Sequence, residues 1–156
     1  MNYDLSIVRE ECETLAKRIK IDELKNLTIL ITGANGLIGG FISDFFCYIN
    51  DVHNADCIIY LTSYSSSSKA HRIKHLLSRS DVEYFSWDSS EPIRDSELPS
   101  KIDKCFFCSG YGQPSKFLKN NVKTSLINVV GVESILNYMH HNQGGDFTRQ
   151  WKPSKQ

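Results

Sequence analysis

The chain has 156 residues, enough for one domain with a sizeable hydrophobic core and too few for two domains of ordinary size. Its apolar fraction of 40% and charged fraction of 23% are typical of a globular protein, and its 18 basic residues balance 18 acidic ones. Balanced charge gives no reason to expect nucleic acid or an anionic membrane as a partner, and no apolar run is long enough for a membrane helix.

The first twenty residues carry acids where a secretory signal would carry bases, and they lack its apolar stretch. The five cysteines are scattered through the chain, and their odd number favours reduced thiols over a disulfide framework. Both features predict a cytoplasmic protein.

Apolar residues at spacings of three and four predict a helix within an amino-terminal extension, residues 1–26. These residues are Leu5, Val8, Cys12, Leu15 and Ile19. The stripe is too short for a coiled coil, so we expect the helix to pack on the flank of the domain. The alternative is a helix that docks a partner.

Strand and helix patterns then alternate over residues 27–140 and are followed by a polar tail, residues 141–156. The predicted strands are Thr28–Thr32, Cys57–Ser63, Val82–Trp87 and Lys104–Gly110. The predicted helices are Leu37–Ile49, Ser68–Arg79 and Val122–Met139. Alternation of this kind predicts an α/β, Rossmann-like, doubly wound parallel sheet in the order 3-2-1-4, truncated after about four strands.

Three glycines follow the first strand and open the next helix. Gly33 permits a tight turn, Gly36 lets the backbone approach a ligand, and Gly39 lets the helix pack against the strand. The amides near Leu37 and Ile38 lack helical partners and can hold an anion. This pattern favours a dinucleotide pyrophosphate over a merely structural turn, and no Gly-Lys-Ser/Thr follows to indicate a mononucleotide P-loop.

The stretch from Leu24 to Met139 resembles the start of the extended short-chain dehydrogenases/reductases, in the NAD-dependent epimerase/dehydratase group that acts on nucleotide sugars. Four ordered segments carry the resemblance: "TGANGLIG", "SWDSSEPI", "KCFFCSGYGQPSKF" and "NVVGVESIL". The resemblance implies that Asp88 contacts adenine and that the loop after the fourth strand runs past the cofactor. The implied cofactor-binding residues are Gly33, Asn35, Gly36, Leu37, Ile38, Gly39, Thr62, Ser63, Asp88, Cys108, Ser109 and Gly110.

The choice between NAD and NADP stays open at this point. NAD-binding members carry an acid at the end of the second strand, where this chain has Thr62 or Ser63. Lys69 and Arg72 follow closely enough to attract a 2′-phosphate, although the same segment also fits a solvated serine loop. The family resemblance favours NAD slightly.

The catalytic Tyr-x-x-x-Lys pair of the family is absent, because none of the seven tyrosines has a lysine four positions later. The chain is similar to the front half of such an enzyme, whose intact form would act on a nucleotide sugar. We therefore expect cofactor binding without catalysis, and no catalytic residue is assigned. "GGDF" at 144–147 could begin a fifth strand. The alternative function is a non-catalytic dinucleotide-binding or interaction module.

The remaining motifs favour structural roles. Cys105 and Cys108 lack a second ligand pair, and His71 and His75, four apart on a predicted helix, lack a third ligand, so no metal site is predicted. Asn128 is expected to bond from its helix to a neighbouring strand loop. An unpaired apolar fourth strand, with the long helix, predicts a homodimer or an aggregation-prone monomer.

Overall fold

The structure, a computed structural model, describes residues 4–112 and 114–142. Four parallel strands form one sheet in the order β3-β2-β1-β4, which confirms the predicted topology and the α/β, Rossmann-like fold class. The strands are β1 Thr28–Thr32, β2 Ile58–Ser63, β3 Val82–Ser86 and β4 Lys104–Phe107.

The helices that flank the sheet confirm two of the predicted segments and divide a third. They are α1 Leu5–Ala16, α2 Leu37–His53, α3 Pro114–Lys119, α4 Asn121–Leu126 and α5 Val132–Asn142. A π-helical turn, Ile127–Gly131, joins α4 to α5, so the single helix predicted over Val122–Met139 is interrupted. At the interruption the helix packs closely against the loop after β3. A Cβ at Gly131 would lie only 2.4 Å from the Ser89 carbonyl oxygen.

The prediction of a helix over Ser68–Arg79 is wrong. Two 3₁₀ turns, Ser67–Lys69 and His71–Ile73, stand in its place. The Asn35 side chain binds two backbone groups of this segment: its amide nitrogen donates to the Lys69 carbonyl, and its amide oxygen accepts from the Arg72 N–H. These bonds from outside the segment compete with a continuous helical ladder.

The hydrophobic core lies on both faces of the sheet, because neighbouring residues of a strand point to opposite sides. Ile29 and Ile31 of β1 are fully buried on the face covered by α1 and α2. Leu30, between them, is fully buried on the opposite face against residues of α5, including Ile135 and Tyr138. A strand buried on both faces explains the unbroken apolar run of β1.

Helix α1 packs on the flank of the domain, as predicted. Asp4 caps it by accepting a hydrogen bond from the Ser6 N–H, and Cys12 and Ala16 are buried against the α2 side of the core. Leu5 and Ile7 stay about half exposed. The helix therefore extends the core of the domain through one stripe only.

The predicted fifth-strand start at 144–147 and most of the polar tail lie outside the described residues. In the part of the chain that the structure describes, β4 forms one edge of the sheet, and no helix is long and apolar enough to cross a membrane. The helical segments after β4 expose several large apolar side chains: Leu118, Val122, Leu126, Val129 and Leu136. Pairing of two copies stays a prediction.

An ion-pair network joins the end of α2 to the start of β3. The Arg79 guanidinium donates two hydrogen bonds to Asp51, at 2.7 and 2.9 Å, and two to Asp81, both at 2.8 Å. The hydrogen bonds from Arg79 hold the pKa of Asp81 below its usual value. A carboxyl group with a lowered pKa in the folded state stabilises the fold at neutral pH and loses that effect as the pH falls through its pKa.

We expect Arg79→Met to lower the melting temperature at pH 7, because it leaves the partly buried Asp81 without its main partner. The difference from the unmodified protein should shrink as the pH falls below about 4, where unfolded carboxyl groups become protonated. Thermal melts across this range measure it. Arg94→Met is the matched control, since the Arg94 side chain is 80% exposed. An equal decrease in melting temperature at pH 7 and below pH 4 would contradict the assigned role of the Arg79–Asp81 ion pair.

Candidate functional site

The loop between β1 and α2 is shaped by two glycines that have no room for a side chain. Gly33 has a φ of +62°, and a Cβ there would lie 2.4 Å from the Cys108 carbonyl oxygen. A Cβ at Gly39 would lie 2.5 Å from the Gly33 carbonyl oxygen. Gly33 therefore makes the turn and the close contact with the end of β4, and Gly39 brings α2 against that turn.

Gly36 is the N-cap of α2 and has an extended backbone that does not require glycine. Its N–H donates to the Gly33 carbonyl at 2.8 Å, and a Cβ at this position would lie 3.0 Å from the same oxygen. The side chains of Leu37 and Ile38 are 68% and 64% exposed, and neither lines the adjoining cleft. Gly36 itself lines the cleft, so the amino-terminal end of α2, which carries partial positive charge, borders it.

A cleft of about 500 Å³ opens at the carboxyl ends of the strands, where doubly wound sheets bind their ligands. Eight predicted residues line it: Gly33, Asn35, Gly36, Ser63, Asp88, Cys108, Ser109 and Gly110. The predicted residues Leu37, Ile38, Gly39 and Thr62 do not. Gly39 and Thr62 are buried behind the cleft surface.

Two threonines at the ends of neighbouring strands, Thr32 and Thr62, are paired in register and fully buried. The Thr32 hydroxyl oxygen accepts the N–H groups of Cys108 at 3.0 Å and Ser109 at 3.2 Å. These bonds end β4 at Phe107, three residues earlier than predicted, and turn the next residues into the cleft. The Thr62 hydroxyl has no hydrogen-bond partner among the described residues, and the Thr62 carbonyl accepts the Ala34 N–H.

The end of β2, where a cofactor-selecting acid was expected, carries hydroxyl groups. The Ser63 Oγ lies 2.7 Å from the Tyr84 hydroxyl, and the Tyr84 hydroxyl also donates to the Ser65 carbonyl. Farther along, a Cβ at Gly40 would lie 2.6 Å from Cδ of Arg72, so the Arg72 side chain packs over the first turns of α2. The last residues of β2, Thr62 and Ser63, thus carry hydroxyl groups where a carboxylate was expected.

Other residues that line the cleft were not found from the sequence: Tyr64, Ser65, Ser89, Tyr111, Lys123 and Ile127. Lys123 shows why. It lies in a helical segment with no spacing relation to the glycine loop, and only the packing of α4 brings its ammonium to 2.6 Å from Asp88 Oδ2. No motif in the sequence indicates this contact.

The Asp88 carboxylate is held from two sides. Its Oδ1 accepts both the N–H and the hydroxyl of Ser90, and its Oδ2 accepts from Lys123. Burial acts to raise the pKa of Asp88, but the hydrogen bonds from Lys123 and Ser90 outweigh it and leave the pKa below its usual value. The hydrogen bond to Asp88 raises the pKa of Lys123. Both groups are therefore charged at neutral pH.

Cys105 and Cys108 behave as structural thiols, as predicted. Cys105 packs in the core cluster on the α5 face, and burial raises its pKa to about 12. Burial also raises the pKa of Cys108, whose backbone lines the cleft. Neither thiol is activated as a nucleophile.

The structure places the two histidines and Asn128 differently from what the sequence predicts. His71 and His75 do not share a helix face; instead His75 Nε2 lies 2.6 Å from Asp44 Oδ1. No cluster of three potential metal ligands occurs among residues 4–112 and 114–142. The expected bond from Asn128 to a strand loop is wrong, because its amide donates to the Thr124 carbonyl one turn earlier in the same helix.

Comparisons with known proteins support the fold. No protein-family profile and no curated protein matches the chain. Its structure is similar to a short-chain dehydrogenase/reductase (glucose/ribitol dehydrogenase) from Brucella melitensis, with a TM-score of 0.55 and 21% identity over 77% of this chain and 53% of that one. It is also similar to Pen from Bacillus thuringiensis, with a TM-score of 0.61 and 18% identity over 77% of this chain and 36% of that one.

The chain thus spans about half of the first of these proteins and a smaller share of the second. At such identities the likeness concerns the fold, and it agrees with the strand order and with the cleft at the carboxyl ends of the strands. The chain has the Rossmann-like fold found in short-chain dehydrogenases/reductases.

We expect Thr32→Val to destabilise the fold by about 1–3 kcal/mol, because the change keeps the shape but leaves two amides without their acceptor. Thr62→Val is the matched control at the paired position, since its hydroxyl accepts and donates nothing among the described residues. Urea unfolding of both variants measures the free energy of unfolding. A loss for Thr62→Val as large as that for Thr32→Val would contradict this role of the Thr32 hydroxyl.

Proposed function

We propose that the chain binds NAD or NADP across the carboxyl ends of its strands, as the dinucleotide-binding part of an oxidoreductase. The observation that carries this proposal is the glycine loop. Gly33 and Gly39 have no room for a Cβ, and together they present Gly36 and the start of α2 to the cleft. A bare backbone at a helix amino terminus is the arrangement that holds a pyrophosphate.

The two ends of the cleft suit the two halves of a dinucleotide. In a doubly wound fold the ribose next to adenine lies by the end of β2, so the adenosine half would contact Ser63 and Asp88. The other half would extend along Cys108, Ser109 and Gly110 after β4, since these residues line the same cleft. The Thr32 hydroxyl positions the first two of them through its hydrogen bonds to their amides.

The cofactor preference follows from the end of β2. A carboxylate there would bind both ribose hydroxyls and repel a 2′-phosphate, and this chain has Ser63 bonded to Tyr84 instead. The site therefore lacks the feature that excludes NADP. Lys69, exposed in the following loop, is available to an added phosphate. Separate titrations with NAD and NADP decide the preference.

We further propose that the parent activity belongs to the epimerase/dehydratase group, with a nucleotide sugar as substrate. This rests on the order of the four segments described above and on the Asp88 position after β3. A bound nicotinamide would supply hydride transfer. The residues of this chain would bind and orient the cofactor, because the Tyr-x-x-x-Lys pair that moves the substrate proton in that family is absent from the 156 residues.

The binding proposal predicts that NAD or NADP raises the melting temperature with the logarithm of its concentration. Gly36→Ala should weaken binding by about tenfold or more, which is about 1.4 kcal/mol, because a Cβ 3.0 Å from the Gly33 carbonyl oxygen would shift the loop proposed to hold the pyrophosphate. Calorimetric titration gives the dissociation constants. Gly112→Ala is the matched control, since a Cβ there meets nothing within 4 Å. Equal affinities of both variants would contradict the loop assignment.

The catalytic proposal predicts no turnover by these 156 residues alone. Purified protein, incubated with a nucleotide sugar and saturating cofactor, should give neither reduced nicotinamide nor an epimerised or dehydrated product. Absorbance of the reduced cofactor and chromatography of the sugar nucleotide measure this. Steady product formation that scales with protein concentration would show that other residues of the chain replace the missing pair.

A further inference from the structure

Three side chains from separate elements meet at the β2–β3 side of the cleft. Tyr64 follows β2, Asp88 follows β3, and Lys123 comes from α4. The Lys123 ammonium lies 2.6 Å from Asp88 Oδ2 and 4.8 Å from the centre of the Tyr64 ring. All three residues line the cleft, and the Tyr64 side chain is 73% exposed.

The ion pair does not use up the hydrogen-bonding capacity of either group. Asp88 Oδ1 takes two bonds from Ser90, whereas Oδ2 takes one from Lys123 and keeps a lone pair. The ammonium has three donors, of which Asp88 uses one. An acceptor and a donor therefore stand side by side, with an aromatic ring beside them.

Side-by-side acceptor and donor groups match one edge of adenine. The exocyclic amino group of the base is a donor, and the ring nitrogen next to it is an acceptor. Asparagine and glutamine amides read adenine in DNA through such an adjacent pair. An aromatic face next to the pair gives the base a surface on which to stack.

We propose that Lys123, acting with Asp88 and Tyr64, selects adenine at this end of the cleft: Asp88 accepts from the amino group, Lys123 donates to the ring nitrogen, and the base stacks on Tyr64. This inference rests on the proposed dinucleotide-binding function and adds to it a residue that discriminates between bases. Ser90 fixes the carboxylate, and the carboxylate in turn positions the ammonium.

The ion pair also suits this role energetically. Its side chains are 34% and 27% exposed, so neither charge is fully desolvated before a ligand arrives. A neutral base that pairs with both groups leaves their mutual attraction intact. In the same position, a base with a carbonyl in place of the amino group would place one acceptor against the carboxylate. Its ring N–H would place one donor against the ammonium.

The test compares NAD with nicotinamide hypoxanthine dinucleotide, which has the same ribose and pyrophosphate groups but presents a carbonyl and an N–H on that edge. The unmodified protein should bind NAD roughly tenfold or more tightly, in line with the value of a good bidentate base contact. In Lys123→Met this ratio should fall severalfold, because one of two matched contacts is gone. Lys119→Met, an exposed lysine of α3 outside the cleft lining, should keep the original ratio.

The outcomes separate the two proposals. Failure of the unmodified protein to bind NAD, NADP or nicotinamide hypoxanthine dinucleotide would overturn the proposed function and this inference together. Binding of NAD and its hypoxanthine analogue with equal affinity, or an unchanged ratio in Lys123→Met, would overturn only the role of Lys123. Equal affinities in the unmodified protein would overturn this role without any variant, and Lys123→Gln gives a second test of the ratio if Lys123→Met does not fold. A melt of each variant without ligand checks its fold.

Discussion

The contact between Gly33 and the end of β4 is the constraint on which the cleft depends. A carbonyl oxygen of Cys108 occupies the space that any side chain at Gly33 would need. The left-handed backbone of Gly33 turns the chain away from β1 at that point, and Gly39 then brings α2 against the turn. A close contact between the ends of the neighbouring strands β1 and β4 thereby positions the amino terminus of α2 at the cleft.

Hydrogen bonds from side chains at the cleft hold the surrounding loops to this contact. Thr32 fixes the residues after β4, and Asn35 fixes the segment after β2 through both ends of its amide. Ser89 adds a bond from the loop after β3 to Ser109. The walls of the cleft are thus connected to one another through side-chain hydrogen bonds, which favours a pre-formed site over one that a ligand must order on binding.

The site combines the dipole of helix α2 with an ion pair that has no net charge. The start of α2 offers partial positive charge to an anion, whereas Asp88 and Lys123 balance each other at the other end. An arrangement of this kind suits a ligand that carries its charge in the middle and an uncharged aromatic group at one end. A dinucleotide has that distribution, which is why the separate features of the cleft point to one ligand class.

Sequence patterns succeeded where local physics decides the outcome. The apolar runs of β1 and β2 predict buried strands, and alternation with helices predicts the order of the sheet, because parallel strands joined by right-handed crossovers leave few other arrangements. The glycine spacing likewise identified the loop, since a positive φ and a close backbone contact both exclude other residues. Eight of the residues that line the cleft were named from the sequence, three in the loop from Gly33 to Gly36 and five, including Asp88, from the order of strand ends and the family resemblance.

Only the tertiary structure decided the rest, because those features depend on contacts between distant segments. The segment after β2 has helical spacing, but Asn35 binds its backbone and two 3₁₀ turns form instead. Lys123 reaches Asp88 through the packing of α4, which no periodicity reveals. The sequence by itself determined the strand order and the glycine loop between β1 and α2, since these follow from backbone sterics and burial. The contact between Lys123 and Asp88 at the β2–β3 side of the cleft was decided by packing between residues 35 positions apart in the chain.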